Sequence, residues 1–346
     1  MNILIVGAGA VGQVYGYHFQ QAGNHVSYLI KEKYRTQIAQ GMTLLPLNSH
    51  KSLNNRSASS PEVHFFADDI ITQWPTEKSG FDLIILTIPS DALRSLPYDD
   101  VRQACINTPV LMLQPSREDR QRLQQELPHT PIAEGLISLI AYQAPLPDHP
   151  LQIQHLPADT EQENSGIAYY LPPLKMSISS ISQPLAKQIS ALFNQGGIRA
   201  KVSASAIEDS AIPSAFLMTF LCVLQASDWR FQQLRDNTQH LKTLSRAQRF
   251  LIPMQKPVGF GRTLLHIGSS LMLRPWLYRL LLNLSPKVLP LPLEAYLAFH
   301  FQKVHQQTRL YMEDYYRHHP DHSIGKLLDL CQPLPINQDP KIKNRA

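Results

Sequence analysis

Three glycines within six residues, Gly7-Ala8-Gly9-Ala10-Val11-Gly12, are the part of this chain whose types and spacing most directly imply chemistry. In the spacing G-x-G-x-x-G the first glycine permits a tight turn and the second lets backbone approach a pyrophosphate. The third lets a helix pack closely on a strand. That helix then presents unpaired N–H groups and the positive end of its dipole to the phosphates. Gly7, Gly9 and Gly12, with Ala10 and Val11 between them, are therefore expected to hold a dinucleotide. The rival reading is a glycine turn that packs a helix and binds nothing.

Which dinucleotide depends on the residue after the next strand. An acidic side chain there holds the ribose 2′-OH of NAD, and a basic one accommodates the 2′-phosphate of NADP. The chain reads Leu29-Ile30-Lys31-Glu32-Lys33-Tyr34-Arg35. Lys31 comes first and favours NADP, whereas a shift of one residue would put Glu32 at the ribose. One further side chain is a candidate for a substrate pocket. Arg117 is placed to clamp a carboxylate or to sit as a surface arginine at a helix start. Glu208 and Asp209 read as acidic caps of a helix N-terminus. Cys105, Cys222 and Cys331 lie far apart with no C-x-x-C pair, so neither a disulfide framework, a zinc site nor any other metal is expected.

The elements that must position these residues are legible in the periodicity. Asn2–Val6 is a short apolar run of the kind buried on both faces of a parallel sheet. Val11, Val14, Tyr15, His18 and Phe19 follow at helical steps, Gly23-Asn24 stands where a helix C-cap belongs, and His25–Ile30 reads as a second strand. Strands are also expected at 81–88, 109–113 and 132–140, so the fold class is α/β, a Rossmann-type, mostly parallel sheet covered by helices. The stretches 47–60 and 145–165 read as loops. From about residue 203 helical periodicity takes over, with helices expected at 207–231, 262–284 (broken at Pro275) and 293–317. The domains are therefore 1–202, NADP-binding; 203–335, all-α; and 336–346, a disordered tail.

Composition bounds the rest. With 346 residues, 43% hydrophobic and 17% charged, wholesale disorder is excluded. A net charge of +5 from 32 basic and 27 acidic residues is a weak signal for nucleic acid and suits an anionic ligand as well. The N-terminus runs from Met1-Asn2 straight into apolar residues without a basic segment, so a cytoplasmic location is expected. The uncharged run 210–227 reads as a buried core helix. The leucine-rich run 259–284, with Arg262, His266, Arg274 and Arg279, reads as a core helix whose arginines reach outward, in preference to a helix on an anionic membrane surface. A small-molecule substrate is expected, with no nucleic acid, no membrane and a possible homo-oligomer.

The glycine motif, the basic residue after the second strand, the helical C-terminal half and the passage Ile38-Ala39-Gln40-Gly41-Met42-Thr43-Leu44 resemble the ketopantoate reductase (2-dehydropantoate 2-reductase) family. The resemblance implies an NADPH-dependent reductase with cofactor contacts after the third and fourth strands, which fall on Ile88, Pro89 and Gln114. It also shows where the chain departs from that family. Ile88-Pro89 stands for a valine-lysine pair, and Gln114-Pro115-Ser116 for a glutamine followed by asparagine and glycine. Ser214 stands for the catalytic lysine, a position that implies a hydrogen bond to a substrate carbonyl unless it packs as a small helix residue, and Met218 stands for the asparagine four residues on. Two C-terminal signatures, Ser-Ser-Met-x-x-Asp and Glu-Ile-Asp, are absent. Reducing a 2-keto acid requires a proton donor at the nascent alkoxide, and serine is a poor one without an adjacent base. The expectation is thus an NADPH-dependent oxidoreductase acting on a carbonyl compound other than ketopantoate, or a non-catalytic NADP-binding protein.

Overall fold

The computed structural model describes residues 1–48, 62–75, 80–106, 108–146, 166–256, 259–288 and 291–331. The tail expected at 336–346 and most of the loops expected at 47–60 and 145–165 lie outside them. The first unit comprises Met1–Pro213 with Leu289–Tyr296. It begins with β1 (Asn2–Val6), α1 (Ala10–Gln21) and β2 (His25–Leu29). α1 stops where expected: Gly23, at φ +79°, donates to Gln20 O at 2.9 Å and Asn24 donates to Phe19 O at 3.1 Å, the paired bonds of a Schellman cap. A 3₁₀ turn at Glu32–Tyr34 and α2 (Arg35–Ala39) lead to β3 (Met42–Pro46), β4 (Val63–Phe65) and β5 (Asp69–Ile71). Then come β6 (Leu83–Leu86), α3 (Ser90–Arg94), α4 (Tyr98–Ala104), β7 (Val110–Met112), α5 (Arg117–Glu126) and β8 (Ile132–Gly135). β9 (Ile140–Ala144), β10 (Gly166–Tyr170), β11 (Met176–Ser180), α6 (Gln183–Gln195) and β12 (Ala200–Val202) complete the α/β region.

Eight strands form the main sheet in the order β12-β11-β8-β7-β6-β1-β2-β5, and within it only β11 against β8 is antiparallel. The run β5-β2-β1-β6-β7-β8 is the 3-2-1-4-5-6 order of a dinucleotide-binding sheet, with its switch point between β1 and β6. β1 shows why both faces are apolar. Ile3 and Ile5 pack with Val14, Tyr15 and Phe19 of α1, while Leu4 and Val6 pack with Leu93, Val101 and Leu123 of α3 to α5. A second sheet, β4-β3-β10-β9, lies beyond the sequence reading. The apolar run 132–140 was read as one strand, but it divides between β8 in the main sheet and β9 in the second. Continuous apolarity marks burial without saying which sheet a residue joins.

α7 (Ala206–Gln225) follows, and the first unit extends past residue 203 to Pro213, inside this helix. The reason is a set of polar ties at the start of α7. Ser179 Oγ accepts from the Ala206 N–H at 2.8 Å and donates to Glu134 at 2.9 Å, Arg117 pairs with Glu208, and Ile207 is buried with the apolar side chains under β1.

The second unit comprises Ser214–Val288 with Leu297–Ala346. The helix expected at 207–231 breaks at Asp228 and Trp229, which have φ of 52° and 59°, before α8 (Phe231–Asp236). α9 (Thr238–Met254) was not foreseen; α10 (Phe260–Met272) and α11 (Pro275–Val288) are separated at Pro275 as expected. The single helix expected at 293–317 is two, α12 (Leu293–Lys303) and α13 (His305–His318), before α14 (His322–Leu330). α7 alone among the described helices is long and apolar enough to cross a membrane, and 61% of its most apolar window is buried.

Two predictions follow from the packing. The Tyr28 ring lies beneath Gly16, so an added methyl would meet its hydroxyl first and its Cζ at 2.7 Å. Gly16→Ala is expected to lower stability by about 1–3 kcal/mol, as overpacking does, and the double variant with Tyr28→Phe to recover part of that in thermal melts. Burial, with the Lys303 charge nearby, holds His300 at a pKa of about 4. The unfolded chain, with imidazole near 6.5, takes up that proton first as pH falls. Stability is therefore lost on going from about pH 6.5 toward 4 and unaffected above about 7. His300→Gln should flatten that acid-side decline in the melting midpoint.

Candidate functional site

The turn from β1 into α1 is closed by contacts that leave no room for a larger residue. Gly7, at φ +100°, donates to Leu29 O at 2.9 Å. A methyl on Gly12 would meet Gly7 O first and Thr87 Oγ1 at 2.8 Å. Thr87 Oγ1 lies 2.9 Å from Val6 O and 2.8 Å from Gly7 O, and the Thr87 N–H donates to Val6 O at 3.1 Å, so the end of β6 locks the turn at the end of β1. Buried Tyr28 Oη donates to Gly12 O at 3.2 Å, and burial, then the Asp68 charge, raise its pKa. Gly9 is the opposite case. It is exposed, with nothing within 4 Å of where a side chain would begin.

This is the geometry a pyrophosphate needs: open backbone at Gly9, tight packing at Gly12, and a helix N-terminus between. No side chain caps α1, and its first turn carries no acid, so its terminal N–H groups and dipole face outward unopposed. Ala10 and Val11 occupy that first turn, half-buried. Gln13 Nε2 donates to Ala8 O at 2.8 Å and steadies the loop from the helix side. The sheet order puts this turn beside the switch point, where doubly wound folds bind ligands.

Lys31 lies just past β2 with extended backbone and is exposed; its carbonyl accepts from the Tyr34 N–H at 2.9 Å, and its side chain makes no hydrogen bond or ion pair among the described residues. Glu32 turns away into an ion pair with Arg35 at 3.7 Å, both exposed. Ile88 lies against Gly7, and Pro89 is the N-cap of the short α3. Gln114, the other expected cofactor contact, has its side-chain amide engaged within the protein. It is buried, its Nε2 donates to Leu86 O at 3.2 Å and to Ile88 O, and its Oε1 accepts from the Leu113 N–H at 3.1 Å. Both ends of the amide are engaged in tying the ends of β6 and β7 together. Pro115 follows it, and Ser116 caps α5.

Arg117 forms a two-pronged pair with Glu208, Nε to Oε1 at 2.9 Å and Nη2 to Oε2 at 2.8 Å. The Glu208 carboxylate therefore binds an arginine, where a cap had been expected. The cap of α7 is Ser205, whose Oγ accepts from the Glu208 N–H at 3.2 Å. Asp209 accepts from Ser203 Oγ at 2.7 Å. Ser214 and Met218 lie in α7, both buried. No group of three or more metal-ligating side chains is found among the described residues.

Thr87, Tyr28 and Gln114's role as a strut were not found by sequence reasoning. Thr87 sat within an apolar strand pattern with nothing to mark it. Tyr28 had a signal, since Gly16 lies four residues after Gly12 on the same face of α1 and a second glycine there implies something bulky beneath.

Residues 3–160 match the family model described as ketopantoate reductase PanE/ApbA. No curated protein matches the chain by sequence. Among solved structures, a PanE/ApbA family ketopantoate reductase from Ralstonia eutropha JMP134 aligns with TM-score 0.62 at 13% identity, covering 96% of this chain and 97% of that one. A probable 2-dehydropantoate 2-reductase, panE, from Bacillus subtilis aligns with TM-score 0.61 at 14% identity, covering 96% and 99%. D-mandelate dehydrogenase, solved as a ternary complex with NADH and anilino(oxo)acetate, aligns with TM-score 0.61 at 15% identity, covering 96% and 97%. Residues 3–160 thus match the ketopantoate reductase PanE/ApbA family model, and nearly the whole chain shares the fold of these solved reductases.

Proposed function

We propose that this chain is a cytoplasmic NADPH-dependent oxidoreductase acting on a small carbonyl compound other than ketopantoate. The observation that carries the reading is the contrast within the glycine turn, closed at Gly12 and open at Gly9 beside an uncapped helix N-terminus. In this reading the first turn of α1 receives the pyrophosphate, and Ile88 and Pro89 flank it. Lys31, exposed past β2 with no side-chain partner among the described residues, takes the 2′-phosphate, while Glu32 is turned toward Arg35. Bound NADPH would supply the hydride. The chain's own part is to orient it and to keep Gly7, Gly9 and Gly12 clear of side chains.

The substrate is set apart from ketopantoate by the residues that replace the family's polar set. Ser214 stands for its lysine, Met218 for its asparagine and Pro89 for the second member of its valine-lysine pair. A hydroxyl donates a hydrogen bond to a carbonyl, but alone it is a poor proton source. A second reading, NADP binding without turnover, is supported by the commitment of Gln114 and Arg117 to partners within the protein.

Titration with NADPH and NADH by fluorescence or calorimetry is expected to show tighter binding of NADPH. Lys31→Asp should remove that preference by roughly ten- to a hundredfold, the range for a charged hydrogen bond. Binding of neither nucleotide would sink both readings. Oxidation of NADPH with 2-keto acids, aldehydes or imines then separates the first reading from the second. Thr87→Val, which strips Val6 O and Gly7 O of a hydroxyl donor, should cost about 1–3 kcal/mol of stability and weaken both nucleotides alike, leaving the preference intact.

A further inference from the structure

The outer faces of α10 and α11 are apolar where a water-facing helix is ordinarily polar. On α10, Phe260, Leu264, Ile267 and Leu271 recur at steps of four, three and four, which aligns them in one stripe, and all four are exposed, Phe260 at 82%. The inward side of this helix, packed along α9, is where Ser269 is buried. On α11, Tyr278 and Leu282 face inward, with Tyr278 Oη donating to Gln248 Oε1 at 2.6 Å, while Trp276, Leu280 and Leu284 stay exposed. Nine of the seventeen exposed large apolar side chains among the described residues fall within 260–284. Single exposed apolar residues are ordinary, but a contiguous set marks an interaction surface. The expectation of a core helix with outward arginines is thus inverted, because the leucines themselves face outward.

Charge identifies the occupant. From Asn237 to Leu293 the sequence contains eight Lys and Arg and no Asp or Glu. Arg274, at the junction of the two helices, is exposed. Two copies of this segment brought together would oppose like charges with no carboxylate within it to offset them, which argues against a second copy as the cover. An apolar stripe bearing Trp and Phe in a cationic, acid-free segment is complementary to an anionic phospholipid surface. There the apolar side chains enter the acyl boundary and the cations meet the headgroups. We propose that α10 and α11 seat the protein on an anionic phospholipid bilayer, lying in the plane of its surface. At 13 and 14 residues, neither helix reaches the roughly 20 needed to span the hydrocarbon.

The test is sedimentation of the full chain with vesicles of mixed phosphatidylglycerol and phosphatidylcholine, and with phosphatidylcholine alone, at low and raised salt. Pelleting is expected with the anionic vesicles, weakened by salt. Leu264→Glu combined with Leu271→Glu, and separately Arg274→Glu, should each weaken it about tenfold or more. Both sites face outward, so the melting midpoint should be unchanged. Trp276 emission, isolated by difference from Trp276→Phe, should shift to the blue on the anionic vesicles, and this readout stands even if the double variant fails to fold. The proposal is overturned by absence of pelleting at low salt, by pelleting that the folded double variant leaves unchanged, or by a dimer in light scattering that the double variant dissociates.

Discussion

The close approach of α1 to the ends of β1 and β6 is the constraint on which the α/β unit depends. Gly12 lies against Gly7 O and Thr87 Oγ1, so the helix axis can come down onto the sheet only because neither position of the turn carries a methyl. The same approach brings Tyr28 beneath Gly16 and its hydroxyl to Gly12 O. Once the helix is fixed at that depth, its N-terminus follows directly on β1, one of the two strands at the switch point, with Gly9 exposed. Binding geometry and packing are here one arrangement. The polar groups that hold it, Thr87 and Gln114, bond to backbone carbonyls at the strand ends.

How far this was legible in the sequence depends on the distance over which each feature is encoded. The β1-α1-β2 unit was readable because its strand pattern, glycine spacing and C-cap all lie within thirty residues. The position of Lys31 was readable because it follows directly from a strand end. Thr87 is eighty residues from Gly7, and nothing local distinguishes a threonine that locks a turn from one that fills a strand. The second sheet was invisible for the same reason. β3 pairs with β10 across more than a hundred residues, and neither strand alternates clearly enough to stand apart from its surroundings. α9 is a different kind of miss. Its buried residues Leu241, Leu244, Ala247, Gln248 and Leu251 keep helical spacing, but Lys242, Arg246 and Arg249 interrupt the apolar pattern.

The start of α7 shows why candidate site residues need their partners before they can be given roles. Arg117 is expected from sequence to clamp a carboxylate or to sit as a surface arginine at a helix start, and Glu208 to cap a helix. Placed together they satisfy each other, and with Ser179 and Glu134 they fasten the first turns of α7 to the sheet. A partly exposed ion pair is worth little alone, about 1 kcal/mol or less. Its two-pronged geometry and the adjacent buried Ile207 make it part of a larger anchor. The consequence lies in chemistry as much as in stability. An arginine held this way keeps its charge but no longer presents both prongs to a ligand carboxylate, so a substrate must find its polar contacts elsewhere.

α10 and α11 carry the same lesson to the surface. Periodicity establishes that a helix has one apolar face, but it is silent on whether that face meets the core or leaves it. The usual inference places the apolar face inward because water makes the alternative costly, at roughly 25 cal/mol for each Å² left exposed. Here the inward positions are held by other means: Tyr278 bonds to Gln248 and Ser245 Oγ to Leu273 O, so each helix is fixed to α9 partly through polar contacts. That frees the apolar stripe from the task of holding the helix in place. A surface that is apolar, cationic and unneeded for its own fold is more economically explained by what it meets than by what it supports.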